Sequence, residues 1–235
     1  MSVRAPQAHE FFVDTWKVYH KIVAGNYMFH RQIYTEVERR LNEYSERPIS
    51  LLDLGCGEAT HIAPVLSKLN LISYHGIDLS EVALDLAARN LAGLACHKTF
   101  HHADMLEFLQ RDTDSYEVIF SSFALHHLTI ADKQAFFRAC RERLRPEGRF
   151  ILIDVARDEN QDLPAYLDAY CGRMESEWSS LTPEELRFAV THVRENDLPE
   201  RVSDLRAMAA EAGFTDFQDI QHHTWHHLFW MLAGT

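Results

Sequence analysis

Short apolar runs alternate with segments of helical spacing along the middle of the chain. Strong runs lie at 49–54, 72–77, 116–120 and 150–155, and the position of 96–101 in this series predicts a weaker strand there. Near-continuous apolar runs are typical of strands that a parallel sheet buries on both faces. The pattern therefore predicts an α/β fold.

Helical patterns flank these runs on both sides. Residues 9–44 predict two helices ahead of the first strand, and 157–198 is too long for a simple connection, so it predicts an inserted helical cap. Within the cap, Thr182 and Glu185 have the spacing of a capping box, which marks the start of a helix. Residues 199–235 predict one helix followed by two strands.

The candidate chemistry begins where the first apolar run ends. Asp53 stands two residues before Gly55, and Gly57 and Ala59 follow at alternate positions. Glycine has no Cβ, so this spacing permits a tight turn and lets a ligand approach the backbone closely. A dinucleotide-binding turn would place a third glycine at position 60, where this chain has Thr60, so the pattern argues against a nicotinamide nucleotide.

The segment 53–59, DLGCGEA, resembles the first motif of class I S-adenosylmethionine (SAM) dependent methyltransferases, in which an acid precedes alternating glycines. The turn 144–148, LRPEG, and the order of elements in 199–235 also resemble that family. The resemblance implies a Rossmann-like, seven-stranded, mostly parallel sheet with helices on both faces, the last strand being antiparallel. It implies SAM as the cofactor, and a helix predicted at 60–69 would direct its N-terminus at the methionine carboxylate.

A chain of 235 residues is predicted to form a single methyltransferase domain. We expect four parts within it: an N-terminal helical lid (1–48), a SAM-binding core (49–156), a helical cap insertion (157–198), and a C-terminal helix with two strands (199–235).

The residues that the resemblance implies for cofactor binding follow the ends of the predicted strands. Asp78 is expected to accept hydrogen bonds from the ribose hydroxyls; the alternative role, a helix cap, is already supplied by Ser80. Asp104 is expected to meet the adenine amino group beside Met105, although an acid there can also cap a helix. The full candidate set is Asp53, Gly55, Cys56, Gly57, Asp78, Leu79, Asp104, Met105, Ser121 and Phe123.

Two histidines are candidate general bases, because imidazole titrates near neutral pH. His126 follows the fourth strand, whose exit the resemblance places beside the transferable methyl group, and His192 lies in the cap. A buried packing role for His126 and a structural hinge at His192 are the alternatives. Acceptor contacts are expected from aromatic and imidazole rings that could equally serve in packing: Tyr19, Tyr27, His30, Tyr34 and Tyr170.

No metal site is predicted. His126 and His127 could supply half of one, but no glutamate or third histidine lies nearby at ligand spacing. The 4 cysteines are widely spaced, which favours reduced thiols over a disulfide framework or a zinc site. Four further histidines are interpreted as edge or surface residues of the last strands: His222, His223, His226 and His227.

Charge and hydropathy limit the expected partners. A formal net charge of -12 repels phosphate backbones and argues against nucleic acid. The basic segment 138–145 has apolar residues at helical spacing, so it is interpreted as a solvated helix face. Without a signal-like segment or a membrane-spanning apolar run, we expect a cytoplasmic protein with no membrane contact, either a monomer or a homodimer.

The cofactor motifs and the cap together favour in-line methyl transfer from SAM to a small-molecule acceptor with a nitrogen, oxygen, sulfur or carbon nucleophile. A protein- or RNA-directed methyltransferase is one alternative. A SAM-binding partner subunit without catalytic activity is another. The sequence does not disclose the acceptor.

Overall fold

A computed structural model describes residues 17–234 of the chain. It confirms the predicted α/β fold, with one seven-stranded sheet and a buried core on each face. The strands are β1 Ile49–Leu54, β2 Leu71–Asp78, β3 His97–His102, β4 Tyr116–Ser122, β5 Leu144–Val155, β6 Asp216–His223 and β7 His226–Leu232.

The sheet has the strand order β3-β2-β1-β4-β5-β7-β6. The first five of these strands are parallel, and β7 lies antiparallel between β5 and β6, as the resemblance implied. The direction of winding reverses between β1 and β4. Leu54 at the end of β1 pairs with Ile77 on one side and Ser121 on the other. Ligands of open α/β sheets bind beyond the carboxyl ends of the strands at such a reversal.

Nine helices of four or more residues surround the sheet within the described range. They are α1 at 17–24, α2 His30–Leu41, α3 Ala63–Leu66, α4 Glu81–Asn90, α5 Met105–Arg111, α6 Ile130–Arg143, α7 Leu163–Glu177, α8 Pro183–Asn196 and α9 Val202–Glu211. None of the helices described is long and apolar enough to cross a membrane. The part of the first predicted helix before residue 17 lies outside the described residues.

The helix predicted at 60–69 is much shorter than expected, since α3 has only 4 residues. Pro64 has no N–H to donate at the start of the helix. The chain then continues in tighter turns, in which Lys68 N donates to Val65 O and Leu69 N to Leu66 O. The glycine turn therefore leads into a compact loop rather than a long helix.

The cap helices α7 and α8 form a third core together with α1. Val18 and Ile22 from α1 are buried in the same cluster as Tyr166 and Met174 from α7 and Val193 from α8. The capping box at the start of α8 is present as predicted. The cap therefore shares its apolar interior with the N-terminal segment.

The interpretation of the last histidines as edge or surface residues is wrong for two of them. His226 and His227 lie on β7, which has β5 on one side and β6 on the other, so both are buried. The His227 ring nitrogen Nδ1 lies 2.7 Å from Asp219 Oδ1 on β6. The insertion of β7 inside the sheet, which short-range alternation does not reveal, accounts for the error.

Candidate active site

A first cavity, the glycine cleft, opens at the carboxyl end of β1. The chain turns there because Gly55 N and Cys56 N both donate to Ile77 O, at 2.8 and 2.9 Å. Gly55 and Gly57 have φ angles of 71° and 52°. A Cβ on Gly55 would lie 2.6 Å from the Cβ of Ala124. The turn therefore requires glycine at its first position for both conformation and space.

Ala59 occupies the place of the third glycine and has a φ of 55°. The left-handed region costs an L-residue roughly 1–2 kcal/mol, because its Cβ approaches the next carbonyl oxygen. Ala59 N donates to Cys56 O at 3.1 Å, which closes the turn in this conformation. The turn thus keeps the shape of an all-glycine motif with alanine at its last position.

Asp78 fixes the same turn from the neighbouring strand. One oxygen of its carboxylate accepts from Gly57 N and the other from Ser80 N, both at 2.8 Å. Ser80 in turn caps α4 by accepting from Ala83 N, so Asp78 is not the cap. Each carboxylate oxygen has a second lone pair, which can accept a ligand hydroxyl. Burial raises the pKa of Asp78, and the backbone N–H groups oppose this shift.

Asp53 lines the glycine cleft itself, and it is almost fully buried. Its Oδ2 accepts a hydrogen bond from Tyr74 Oη at 2.7 Å. Burial raises its pKa to about 7, although the bond from Tyr74 acts in the opposite direction. A cationic ligand group beside Asp53 would favour its charged form.

The glycine cleft has a volume of about 450 Å³. Tyr34 lines it and donates to Ser122 Oγ at 3.1 Å. Ser121, the candidate that the sequence favoured here, points its hydroxyl to Leu54 O and is fully buried. The neighbouring Ser122 therefore presents its side chain to the cleft, and Ser121 lies behind it.

The remaining cofactor candidates lie outside the walls of this cleft. Asp104 caps α5 by accepting from Leu106 N and Glu107 N, which leaves Met105 as the first helical residue. Leu79, next to Asp78, is 67% exposed. These residues follow β2 and β3 at the carboxyl edge of the sheet.

A second cavity, the cap cavity, lies between α1, the cap helices and the loop after β4. It has a volume of about 800 Å³, including its open mouth. Most of its wall is apolar or aromatic, and a polar group lies at one end. Its lining residues are Val18, Tyr19, Ile22, Met28, Phe123, His126, His127, Val155, Tyr170, Met174, Trp178, Phe188, Ala189, His192, Val193 and Asp197. Tyr19 lines both cavities, so they meet at this side chain.

His126 forms the centre of the polar end. Asp154 of β5 accepts from the backbone N of His126 at 3.0 Å, and its other oxygen pairs with ring nitrogen Nδ1. The second ring nitrogen, Nε2, lies 3.7 Å from Asp197 Oδ1. Burial lowers the pKa of His126, but Asp154 and Asp197 outweigh burial and raise the pKa to about 9. The two carboxylates therefore favour the protonated form of His126.

His127 and His192 stand beside this group. Nδ1 of His127 lies 3.6 Å from Asp197 Oδ1 and 3.3 Å from the carbonyl oxygen of Asn196. The rings of His127 and His192 meet edge to face, with centroids 5.5 Å apart. The structure thus brings both candidate bases, His126 and His192, to one end of the cap cavity.

Asp154 and Asp197 were not predicted as site residues from the sequence. Asp154 carried a usable signal, because an acid inside the apolar run 150–155 requires a buried partner. Asp197 follows α8, and nothing in the local sequence relates it to His126, which lies 71 positions earlier. The fold alone brings the two together.

The five acceptor candidates divide among the two cavities and their surroundings. Tyr19 and Tyr170 line the cap cavity, and Tyr34 lines the glycine cleft. His30 is buried near both, with Nε2 3.4 Å from Tyr19 Oη. Tyr27 stacks on Trp178 of the cap cavity wall, and its hydroxyl accepts from Ser180 N at 2.9 Å.

Residues 51–148 match the model of the methyltransferase domain family. This segment contains the glycine turn, Asp78 and the loop with His126. The match ends before the cap, which supplies much of the wall of the cap cavity.

Two relatives match over part of the chain. A phosphoethanolamine N-methyltransferase from Plasmodium falciparum is 25% identical over 62% of this chain and 54% of its own length. A ubiquinone biosynthesis O-methyltransferase from Aromatoleum aromaticum is 30% identical over 52% of this chain and 49% of its own length. The chain thus spans about half the length of each relative.

A solved structure extends the likeness to nearly the whole chain. Magnesium protoporphyrin IX methyltransferase from Synechocystis PCC 6803, solved with bound S-adenosylhomocysteine (SAH), superposes with a TM-score of 0.64. The alignment covers 94% of both chains at 17% identity. At this identity the likeness establishes the common fold.

Proposed function

We propose that the protein is a SAM-dependent methyltransferase, as the match of residues 51–148 to the methyltransferase domain family supports, and that it transfers the methyl group to a small apolar or aromatic acceptor. The observation that carries the proposal is the meeting of the two cavities at Tyr19. A cofactor in the glycine cleft and an acceptor in the cap cavity would then lie side by side. In-line transfer needs this alignment above all.

The chemistry of the glycine cleft fits SAM. Asp78 has lone pairs left for the ribose hydroxyls, and the glycine turn allows close approach of the ligand to the backbone. Asp53 is suited to the methionine ammonium group, since a positive charge would lower its raised pKa. When bound, SAM supplies an activated sulfonium methyl group.

The cap cavity sets the class of acceptor. Its wall includes the aromatic rings of Tyr170, Trp178 and Phe188, and small-molecule sites are typically lined by such apolar and aromatic groups. A flat apolar body would pack against these rings, with its nucleophilic atom at the histidine end. The names of the two relatives, phosphoethanolamine and ubiquinone biosynthesis methyltransferases, also support a small acceptor.

The polar end of the cavity determines where the acceptor proton goes. Asp154 pairs with Nδ1 of His126, and Nε2 faces Asp197, so His126 does not serve as the free base. His192 lines the cavity, and in the described residues its Nδ1 has only a weak contact, 3.5 Å from Asn196 Nδ2. We assign proton acceptance to His192.

Transfer of labelled methyl groups from SAM tests this proposal. The wild type should methylate one or more members of a panel of small phenols, thiols and aromatic amines. His192→Gln should lower kcat by roughly 10²–10⁴-fold, the usual contribution of a general base, and leave SAH affinity unchanged. The control, His97→Gln, alters an exposed histidine on β3 and should leave kcat unchanged.

Two results would contradict the proposal. Label that enters only added protein or RNA, and no small molecule, would exclude the acceptor class. Equal kcat in wild type and His192→Gln would remove the assignment of the base and leave the acceptor class in place.

A further inference from the structure

We propose that the histidine end of the cap cavity is a binding site for one divalent transition-metal ion of the zinc type. The ligands are His126 Nε2, His127 Nδ1 and a carboxylate oxygen of Asp197, and we call them the metal triad. Two of them are neighbours in sequence, and the third comes from the segment after α8. The sequence-based prediction of no metal site rested on the absence of a third ligand nearby, and the fold supplies one.

The spacing of the metal triad is close to that of a metal site. One potential ligand atom from each of its members lies within 4.8 Å of the others. Asp197 Oδ1 is 3.7 Å from His126 Nε2 and 3.6 Å from His127 Nδ1. Ligands of tetrahedral zinc, with bonds of about 2.0–2.2 Å, are roughly 3.3–3.5 Å apart. The two distances to Asp197 exceed this spacing by a few tenths of an ångström, and the third, between the two imidazoles, is at most 4.8 Å.

Asp154 holds His126 in the orientation that a metal ligand needs. It pairs with Nδ1 of the imidazole and also accepts from the backbone N of the same residue. Nδ1 is thereby occupied, and Nε2 is turned toward Asp197. A carboxylate behind the ring is the usual support of a metal-bound histidine.

The buried carboxylate of Asp197 is the strongest observation in favour of a cation site. Its side chain is 7% exposed, and its Oδ1 accepts no hydrogen bond from any residue of the described range. A buried carboxylate oxygen without a donor costs free energy, and the two nearest ring nitrogens are beyond hydrogen-bond distance. A cation between Asp197 and the two imidazoles would satisfy all three groups at once.

The position of the metal triad suggests its use, and this step rests on the proposed function. All three side chains line the cap cavity, so a fourth coordination position would face the acceptor. A bound metal ion lowers the pKa of a coordinated hydroxyl or thiol group and fixes its position. The site would therefore favour acceptors with a phenol, catechol or thiol group over aliphatic amines.

Titration of the chelator-treated protein with Co²⁺ tests the site without SAM or acceptor. Tetrahedral Co²⁺ absorbs visible light, so the wild type should show saturable bands with one ion per chain, and Zn²⁺ should abolish them. Asp197→Asn and His127→Gln should each weaken Co²⁺ binding at least tenfold. Asp154→Asn, which alters only the support of His126, should weaken it by roughly 10–100-fold.

His97→Gln is the matched control, because it removes an imidazole from an exposed position on β3. It should bind Co²⁺ like the wild type, and thermal melting should show that all variants are folded. A wild type without tetrahedral bands would overturn the metal site, and so would an equal loss of binding in His97→Gln and His127→Gln. Calorimetry with SAH separates the two proposals. A wild type that binds SAH but fails to bind Co²⁺ would refute the metal site and leave the proposed function in place.

Discussion

At the scale of single residues, backbone conformation and burial explain why a few positions of the glycine cleft have the identity they have. Gly55 is required by space, whereas Ala59 accepts a left-handed conformation that glycine would adopt without strain. Asp53 is buried in the glycine cleft, and the burial of its carboxylate costs free energy. Substitutions of Ala59 and Asp53 can therefore be tested by unfolding alone, without an acceptor.

Ala59→Gly should be neutral or should stabilise the protein by up to about 0.5 kcal/mol. It relieves strain of about 1–2 kcal/mol, and the loss of the buried Ala59 methyl group and the greater freedom of glycine in the unfolded chain offset most of this gain. Urea unfolding of both proteins measures the difference. Ala207→Gly, at an exposed position inside α9, is the control and should destabilise by about 1 kcal/mol. Destabilisation by both substitutions would contradict the strain at Ala59.

The pKa of Asp53 predicts how stability depends on pH. The folded protein holds this proton with a pKa of about 7, whereas the ordinary pKa of an aspartate is 3.8. The stabilising effect of protonation is therefore complete below pH 4 and is lost as the pH rises to 7. Between pH 5 and pH 8 the wild type should lose roughly 2–3 kcal/mol more than Asp53→Asn. Parallel stability curves from urea unfolding at both pH values would refute the raised pKa.

At the scale of elements, the cap depends on how α8 begins and on what it packs against. Thr182 Oγ1 accepts from Glu185 N, and the Glu185 carboxylate accepts from Thr182 N. Lys21 of α1 also donates to the Glu185 carboxylate at 2.6 Å, so the same glutamate joins the N-terminal segment to the cap. Because α8 carries His192 and leads into Asp197, its first turn supports the histidine end of the cap cavity.

Thr182→Ala should destabilise the protein by about 1 kcal/mol, because it leaves the N–H of Glu185 without its acceptor. Thr191→Ala lies at an exposed position inside the same helix and should be neutral or slightly stabilising. Thermal and urea unfolding compare the two variants. Equal stability of both would mean that the capping box contributes nothing to the cap.

At the scale of the whole molecule, the sequence was informative where function depends on local backbone geometry. The apolar runs predicted the strands, and the spacing of Gly55 and Gly57 after Asp53 predicted the tight turn at the end of β1. The sequence did not predict the contacts between segments that are far apart in the chain. His126 meets Asp197 only because the cap folds back over the carboxyl end of the sheet, and His226 is buried only because β7 enters between β5 and β6.

The proposed function requires that the glycine cleft binds SAM, and calorimetric titration with SAH measures this binding. The wild type should bind SAH and not NADH, and Asp78→Asn should weaken SAH binding at least tenfold, because the ribose loses a charged acceptor. Asp85→Asn, at an exposed position of α4, is the control and should bind like the wild type. Absence of SAH binding to the folded wild type, or tighter binding of NADH, would contradict the account.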